Sequence, residues 1–358
     1  MFFMMCGSRS RRPRWQFLLC IGLGLLFIYW CSRVGYDSYY SRSLIKPSNS
    51  KIILAYTLFF DNERVYEPAE ECEFKCLVTY DKGYLPHADL LIFHQWDIKF
   101  WDLPDSAAPK IFFTEESPMF KKFKYLFPPR KDAFNYIMSY MANSDVVWPY
   151  DHKAMYAGKK RTREEIRAII AKKSKMALSA RSNCATNSKR EVLIGAMAKH
   201  VEVTTIGKCG REDCNWECLE REMESHHFYL AFENAVCEDY VTEKFYRFTS
   251  YIVPIVLRRH IIPKRIPSDV FIAVDDFQNV KELTDYLTYL TKNTTAYERY
   301  FDWAIRGDMA ERYDKKDPGC RLCELAYKRP QKSIADFNSI INDTKYCDNT
   351  FVEKFIGI

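Results

Sequence analysis

The 358-residue chain lacks the short motifs that identify the commonest nucleotide-binding and hydrolytic enzymes. It contains no G-x-G-x-x-G, no G-x-x-x-x-G-K-[ST] and no G-x-S-x-G, and it has only 12 glycines. The glycines of the first two motifs let a backbone approach a pyrophosphate closely, and the third motif exposes a nucleophilic serine. Their absence argues against dinucleotide oxidoreductases, P-loop NTPases and α/β-hydrolases.

Two further absences concern metals and nucleic acids. No Asp-x-Asp occurs in the chain, so it lacks the carboxylate pair with which a sugar-nucleotide enzyme would hold a diphosphate through a metal ion. We therefore expect no metal site and no obligatory cofactor, while stimulation by Mn²⁺ or Mg²⁺ stays open. The net charge is only +6 with both signs mixed, which does not indicate a nucleic-acid surface.

Acidic residues are missing from the first 14 positions, which carry four arginines and lead into an apolar run. The run has the length of a short membrane span, with aromatic residues at its edges. This pattern predicts a cytoplasmic tail at 1–14, a signal anchor at 15–31 and a luminal stem at 32–50. A cleavable signal peptide is the alternative, although no small-x-small site follows. Sequons at Asn293 and Asn342 predict luminal N-glycosylation.

Ten of the 13 cysteines fall on the predicted luminal side. An even number in an oxidising compartment predicts up to five disulfide bonds. A zinc site made by Cys209, Cys214, Cys218 and Cys237 is the alternative, but their spacings are not those of a zinc ribbon. The C-x-x-C at 320–323 is expected to close on itself. The ten disulfide candidates are Cys72, Cys76, Cys184, Cys209, Cys214, Cys218, Cys237, Cys320, Cys323 and Cys347.

After residue 50, short continuous apolar runs alternate with helical patterns. KIILAYT at 51–57, ADLLIFH at 88–94 and KMALSAR at 175–181 lack the alternation of half-buried strands, so they predict parallel strands covered by helices on both faces. Two such sets occur, and TREEIRAIIAKKS between them begins with a Thr-x-x-Glu capping pattern. The sequence therefore predicts an α/β protein with two Rossmann-like domains, 51–173 and 174–358, facing a cleft.

Polar residues concentrate in FYLAFENAVCEDYVTEKFYR, at 228–247, where a predicted strand gives way to a helix. Ligands of open parallel sheets collect at such junctions. Lys244 in the first helical turn is suited to phosphate, because helix N-termini attract anions and an ammonium adds a charge. Asn234 and Glu243 are suited to ribose or sugar hydroxyls. The alternative is that Glu243 and Lys244 are only solvated helix residues.

Two other junctions carry candidate chemistry. Arg181 and Arg190 flank the polar loop of ARSNCATNSKREV, and arginine is the usual bidentate partner of phosphate. FFTEESPMF ends a predicted strand with Glu115 and Glu116. Partial burial and a like-charged neighbour raise the pKa of a carboxyl toward neutrality, as a general base requires. Surface arginines, and glutamates that cap a helix or form a salt bridge, are the structural alternatives.

These blocks together resemble the α1,3-fucosyltransferases of glycosyltransferase family 10. The stretch at 228–247 is similar to the family pattern F-x-L-x-F-E-N followed by D-Y-[IV]-T-E-K, and FHQWD, FFTEESP, IGKCG and CRLC resemble further family blocks. The cysteines in SNC, KCG and NAVCEDY are most similar to the invertebrate and plant enzymes that fucosylate the innermost GlcNAc of N-glycans. Ala235 and Phe248 depart from the family pattern.

The resemblance implies a GT-B fold, with the N-terminal domain binding the acceptor and the C-terminal domain binding GDP-fucose. It implies a single-pass type II protein of the Golgi membrane with a luminal catalytic part. The implied reaction is inverting transfer of L-fucose from GDP-fucose, in α1,3 linkage, to GlcNAc of N-glycans on glycoproteins. The core GlcNAc is favoured, and LacNAc or LacdiNAc antennae are alternatives. A homo-oligomer stays open.

Site residues follow from the resemblance by motif position. Glu116 matches the proposed general base of the family. The matches to donor-binding residues are Arg190, Asn234, Tyr240, Glu243 and Lys244. A catalytically silent Golgi glycan-binding protein on the same scaffold is the competing hypothesis, and the presence of Glu116, Arg190 and Lys244 favours the enzyme.

Overall fold

The structure is a computed structural model that describes residues 50–61, 63, 70–99, 103–118, 132–150, 160–211, 214–264, 266–307, 317–335 and 343–358. The predicted tail and anchor, the stem up to residue 49 and the sequon residue Asn342 lie outside these ranges. In the part of the chain that is described, no helix is long and apolar enough to cross a membrane.

The first domain is built on a six-stranded sheet in which all neighbouring strands are parallel, in the order β2-β1-β3-β4-β5-β6. Leu90 to His94 are all buried, because apolar side chains cover both faces of the sheet. This confirms the prediction from continuous apolar runs. The strands are β1 Lys51–Ala55, β2 Cys76–Thr79, β3 Leu90–His94, β4 Lys110–Thr114, β5 Tyr136–Ser139 and β6 Val146–Val147.

The second domain has a five-stranded parallel sheet in the order β11-β10-β9-β7-β8. The carboxyl ends of its strands share one edge, as in the first sheet, and the connections that follow them meet there. Two parallel sheets, with α-helices between the strands of the second, confirm the predicted α/β class. The strands are β7 Lys175–Ala180, β8 Val203–Ile206, β9 His226–Leu230, β10 Val253–Val256 and β11 Ile272–Ala273.

Helices connect strands of the second sheet, and several helices begin at a capping side chain. Thr162 and Glu165 form the predicted capping box, with Glu165 N donating to Thr162 Oγ1 at 3.2 Å and Thr162 N donating to Glu165 Oε2 at 2.8 Å. The α-helices are α1 Arg163–Ile170, α2 Arg190–Met197, α3 Trp216–Ser225, α4 Glu243–Tyr246, α5 Val280–Lys292, α6 Thr294–Glu298, α7 Asp302–Arg306, α8 Pro318–Lys328, α9 Asp343–Tyr346 and α10 Phe351–Ile356. Short 3-10 turns include Lys82–His87, Arg247–Ser250, Arg259–Ile261, Val274–Asp276 and Arg299–Phe301.

Two predicted elements are shorter than expected. The sequence DYVTEKFYRFTS, at 239–250, predicts a helix from its first residue, but the helix begins only at Glu243, because Asp239 adopts a left-handed conformation with φ 57°. The sequence also predicts one long helical region from Val280 to about Ile305, but that region breaks at Asn293, whose Oδ1 accepts a hydrogen bond from Ala296 N at 3.0 Å. Asn293 thereby caps α6, and its Nδ2 also donates to the Tyr289 hydroxyl. Glycosylation at Asn293 stays a prediction.

The segment 317–335 packs on the first domain, although the predicted boundary at 173/174 assigns it to the second. Leu322, Leu325 and Ala326 of α8 are buried against β1 and its neighbours. Ile334 joins the cluster on the opposite face of the same sheet. Asp317 caps α8 ahead of Pro318, so an N-cap and N1 proline were readable in the sequence. The packing against the first sheet had no such local signal.

All ten predicted cysteines form disulfide bonds, so the prediction of five bridges is confirmed. The pairs are Cys72–Cys320, Cys76–Cys323, Cys184–Cys209, Cys214–Cys218 and Cys237–Cys347. The expectation that the C-x-x-C at 320–323 closes on itself is wrong, because α8 directs both sulfurs toward the segment 72–76. The zinc alternative is also wrong, because its four thiols are consumed by three different bridges.

The Cys72–Cys320 and Cys76–Cys323 bridges act as a redundant pair, because each closes a loop of almost the same length. With one retained, the other closes only a few additional residues. We expect serine replacement of either pair to lower the free energy of unfolding by about 2 kcal/mol, and of both pairs by at least roughly 5 kcal/mol. Denaturant unfolding measures this, and equal, additive losses would contradict it.

Candidate functional site

Glu233 lies just after β9, and its carboxylate is buried with 3 % of the residue exposed. It accepts hydrogen bonds from Thr242 N at 2.8 Å and from Thr242 Oγ1 at 2.7 Å. The ammonium of Lys244 lies 3.2 Å from its other oxygen. Because Thr242 immediately precedes α4, this carboxylate fixes where that helix begins and where Lys244 is placed.

Lys244 is held as a cation by its surroundings. Its Nζ donates to Thr242 Oγ1 at 2.8 Å and to Glu243 Oε1 at 3.2 Å. Burial by itself lowers the pKa of Lys244, but the carboxylates of Glu233 and Glu243 outweigh it and raise the pKa above its ordinary value. The side chain keeps 18 % exposure, so a charged ammonium remains accessible to a ligand.

Arg190 begins α2 and is almost wholly buried. Its Nη1 donates to the carbonyl of Phe232 at 2.6 Å, and its Nη2 donates to the carbonyl of Asn183 at 3.2 Å. Across the described residues, neither Arg190 Nε nor the buried Oδ1 of Asn234 has a hydrogen-bond partner. Buried polar atoms are rarely left unsatisfied in a folded protein, so these two atoms point to a ligand.

A cavity of about 480 Å³, here called the second-sheet cavity, opens at the carboxyl ends of β7, β8 and β9. Among the described residues, four cations and one carboxylate, that of Glu243, line it. Burial and the charge of Arg190 lower the pKa of Arg181, as expected where positive charges are crowded. Such a site favours an anion with several charges. The cavity-lining cations are Arg181, Arg190, Lys244 and Arg247.

Glu116 follows β4 and faces the second domain. Its Oε2 accepts a hydrogen bond from the Tyr240 hydroxyl at 3.3 Å. Burial raises the pKa of Glu116, while the Tyr240 hydroxyl and the charge of Lys244 lower it, and the net effect is a raised pKa. A carboxylate whose pKa is raised toward neutral pH is suited to accept a proton from a hydroxyl.

Contacts between the domains hold these groups in register. The rings of Tyr140 and Tyr240 lie 5.2 Å apart between centroids. Ala142 N donates to Asp239 Oδ2 at 3.0 Å across the same boundary. Within the first domain, the Tyr150 hydroxyl donates to the carbonyl of Glu115, the neighbour of Glu116, at 2.6 Å. The loop after β9 therefore packs on the first domain close to Glu116.

The C-terminal segment braces that same loop. The Cys237–Cys347 bridge joins them covalently. Val236 N donates to Asn349 Oδ1 at 3.0 Å, and Glu238 N donates to the Tyr346 carbonyl at 2.8 Å. These contacts fix the loop between β9 and α4 to the C-terminal segment.

The structure brings the predicted residues together in two groups. Arg190, Asn234, Glu243 and Lys244 line the second-sheet cavity. Tyr240 instead lies beside Glu116 and is 2 % exposed. The motif departures Ala235 and Phe248 are buried in apolar clusters, so they pack the scaffold and do not line the cavity.

Three contributors were missed from the sequence. Glu233 was noticed only as one polar residue among many, because nothing local distinguishes a buried carboxylate from a solvated one. Arg247 lies three residues after Lys244, a spacing that places side chains on the same face of a helix. Trp216 lines the cavity from α3, a helix that was not predicted.

A second cavity, here called the first-sheet cavity, has a volume of about 780 Å³ and lies at the carboxyl ends of β1 and β3. Asp97 organises its rim by accepting hydrogen bonds from Phe60 N at 3.0 Å and Asp61 N at 3.1 Å. Those two residues adopt left-handed conformations, with φ 49° and 60°. The lining combines aromatic side chains, including Phe60 and Trp96, with carboxylates, a composition suited to a sugar's apolar faces and hydroxyls.

Comparison with known proteins identifies two family models along the chain. "Glycosyltransferase family 10 (fucosyltransferase) C-term" matches residues 170–340. "Fucosyltransferase, N-terminal" matches residues 48–151. The two models describe the N-terminal and C-terminal parts of fucosyltransferases, and together they match most of the chain.

Curated relatives agree with the family models. The chain is 29% identical to alpha-(1,3)-fucosyltransferase fut-1 of Caenorhabditis elegans, over 86% of this chain and 73% of the relative. It is 32% identical to human 4-galactosyl-N-acetylglucosaminide 3-alpha-L-fucosyltransferase FUT5, over 64% and 62%. It is 30% identical to glycoprotein 3-alpha-L-fucosyltransferase A of Drosophila melanogaster, over 59% and 43%.

Solved structures show the same fold. A crystal structure of an alpha1,3-fucosyltransferase aligns with a TM-score of 0.53 at 19% identity, over 86% of this chain and 94% of the other. A crystal structure of an alpha1,3-fucosyltransferase with GDP-fucose aligns with a TM-score of 0.50 at 19% identity, over 86% and 97%.

The ion pair between the buried Glu233 carboxylate and Lys244 can be tested by substitution. In Lys244→Met the carboxylate loses its counter-charge, and we expect the free energy of unfolding to fall by about 3 kcal/mol. Adding Glu233→Gln to that variant should recover part of the loss, because no charge then remains unpaired. Urea unfolding measures both.

The matched control is Lys281→Ala, which removes an exposed ion pair with Asp285 on α5. Its effect should stay below about 1 kcal/mol. A Lys244→Met variant as stable as this control would contradict the role given to Glu233.

Proposed function

The chain belongs to glycosyltransferase family 10 and is a fucosyltransferase, and we propose that it transfers L-fucose from GDP-fucose to the 3-hydroxyl of a GlcNAc residue on N-glycans. Inversion of the anomeric carbon is part of the proposal. The observation that carries it is the pairing of a cation-lined cavity in one domain with a carboxylate of raised pKa, Glu116, presented by the other.

In this proposal the second-sheet cavity binds the donor. Lys244 and Arg190 stabilise the diphosphate, and Glu243 and Asn234 bind hydroxyls of the ribose or sugar. Nη1 and Nη2 of Arg190 each donate one hydrogen bond to a backbone carbonyl. Since a guanidinium has five N–H donors, three remain for the diphosphate, including Nε, which is unpaired among the described residues. We still expect that the reaction needs no metal ion, and stimulation of the reaction by Mn²⁺ or Mg²⁺ stays open.

Transfer would proceed by direct displacement. Glu116 takes the proton of the acceptor 3-hydroxyl while that oxygen forms a bond to the anomeric carbon of fucose. The bond from this carbon to the β-phosphate oxygen breaks with its electron pair, and GDP leaves. The fucosyl group has oxocarbenium character in the transition state, and Lys244 and Arg190 stabilise the negative charge that grows on the diphosphate.

The first-sheet cavity is the proposed acceptor site. It lies at the same sheet edge as Glu116, since β3 and β4 are neighbours. The core GlcNAc is the favoured acceptor on the cysteine pattern, and the Drosophila relative's name refers to glycoprotein. The human relative's name refers to 4-galactosyl-N-acetylglucosaminide, so LacNAc and LacdiNAc antennae belong in every test.

A luminal position in the Golgi, with a type II anchor at 15–31, is part of the proposal. Support comes from the five disulfide bonds, because such bonds persist in oxidising compartments. Immunolocalisation with protease protection of sealed Golgi vesicles tests the orientation.

The reaction itself is tested by incubating the purified protein with GDP-fucose and a panel of core, LacNAc and LacdiNAc glycans. Mass spectrometry should show one added fucose on the core GlcNAc. Glu116→Gln should lower kcat by roughly 10²- to 10⁴-fold, because a neutral amide cannot take the proton. GDP affinity should be kept, because Glu116 belongs to the other domain.

Full activity in Glu116→Gln or in Lys244→Ala would sink the assigned roles. GDP-fucose binding without transfer to any glycan would favour the silent glycan-binding protein. Transfer to antennae alone would overturn the core preference and leave the enzyme assignment intact.

Tyr240→Phe gives a separate pH test. The Tyr240 hydroxyl lowers the pKa of Glu116, so its removal should raise that pKa. Because the ionised carboxylate is the active form, the acid limb of kcat/KM against pH should move to higher pH. Tyr140→Phe is the control, since among the described residues the Tyr140 hydroxyl has no hydrogen-bond partner. An unmoved limb in Tyr240→Phe would exclude this coupling.

A further inference from the structure

Trp216 is an exposed aromatic residue on the wall of the second-sheet cavity. It is the first residue of α3, and 63 % of its surface is exposed. Ile206 and Leu219, both buried, line the cavity beside it. The cavity therefore has an apolar wall in addition to its four cations, and the proposed phosphate and hydroxyl contacts make no use of that wall.

The indole is held in place from both ends of its side chain. Its Nε1 donates to Glu220 Oε1 at 2.9 Å, one turn further along α3. The Cys214–Cys218 bridge encloses the start of the helix around it. Asn215 caps the helix by accepting a hydrogen bond from Cys218 N at 3.0 Å. An exposed ring fixed in this way loses little entropy when a ligand covers it.

The sheet order indicates which part of a ligand reaches this wall. Glu116 approaches from the first domain, near Lys244 and Tyr240, so the reacting sugar lies at that end. The rest of the donor then extends along the carboxyl edge, across β7 to the edge strand β8. Two strand spacings amount to about 10 Å, which is the scale of a ribose and base measured from a diphosphate.

We infer that Trp216 stacks on the nucleoside base of the donor, and that the Cys214–Cys218 disulfide positions the indole for this contact. The inference rests on the proposed function, because it assigns the base end of the same nucleotide. Stacking on an aromatic face tolerates every base, so Trp216 supplies affinity for the nucleoside. Discrimination between bases is not assigned to it.

The first experiment compares GDP with inorganic diphosphate in calorimetric titrations. Trp216→Ala should weaken GDP binding roughly tenfold, because base stacking on an aromatic side chain is lost. Affinity for inorganic diphosphate should be unchanged, because the cations are untouched. Trp216→Phe keeps a ring and should stay close to the wild type. In activity assays, KM for GDP-fucose should rise in Trp216→Ala with kcat preserved.

Tyr289→Ala is the matched control, since Tyr289 is an exposed aromatic residue on α5 of the same domain and does not line the second-sheet cavity. Its GDP affinity should equal that of the wild type. The control distinguishes stacking from a general effect of removing a surface ring.

The disulfide is tested by a double-mutant cycle. Cys214→Ser/Cys218→Ser should weaken GDP binding by releasing the indole. Adding Trp216→Ala to that variant should weaken it little further, because both changes remove the same contact. Fully additive losses would overturn the positioning role of the bridge.

The outcomes distinguish a failure of base stacking by Trp216 from a failure of the proposed function. Wild-type affinity for GDP in Trp216→Ala, or equal losses for GDP and inorganic diphosphate, would overturn the stacking. If the wild-type protein binds GDP no more tightly than inorganic diphosphate, the nucleoside adds no affinity. The inference about Trp216 then fails, although the anion site remains supported. If it transfers no fucose and binds no GDP, the proposed function itself fails.

Discussion

A carboxylate buried at the end of a strand has to find donors and a counter-charge close by, and Glu233 obtains them from the start of the next helix. Thr242 supplies two donors and Lys244 supplies the charge. That requirement determines where α4 begins. It also explains why Lys244 and Arg247 reach the second-sheet cavity.

The site is completed only when the two sheets face each other. The cavity with its cations belongs to the second domain, whereas Glu116 belongs to the first, and Tyr240 joins them through its hydroxyl. The pKa of Glu116 therefore depends on the packing of the domains as well as on its own burial. The hydrogen bond between Tyr240 and Glu116 therefore links the proposed general base to the packing of the two domains.

Much of the fold was predictable, because continuous apolar runs are a local signal of parallel strands and cations at strand ends form a local pattern. Lys244 and Glu116 were identified on that basis together with the family motifs. The burial of Glu233 was not, because nothing in the local sequence distinguishes a buried carboxylate from a solvated one, and the position of Tyr240 was not, because it depends on a contact across the domain boundary. Cysteine pairing failed at 320–323 for the same reason: no local spacing reveals that α8 returns to the first sheet.

The Cys72–Cys320 and Cys76–Cys323 bridges can form only late in the synthesis of the chain. Cys72 and Cys76 emerge from the ribosome some 250 residues ahead of their partners, which at translation rates of about 5 to 20 residues per second is on the order of ten to fifty seconds. During that interval the first sheet lacks α8 and both thiols are open to incorrect partners. The N-terminal domain is thus translated first but completed only after residues 317–335 have been made.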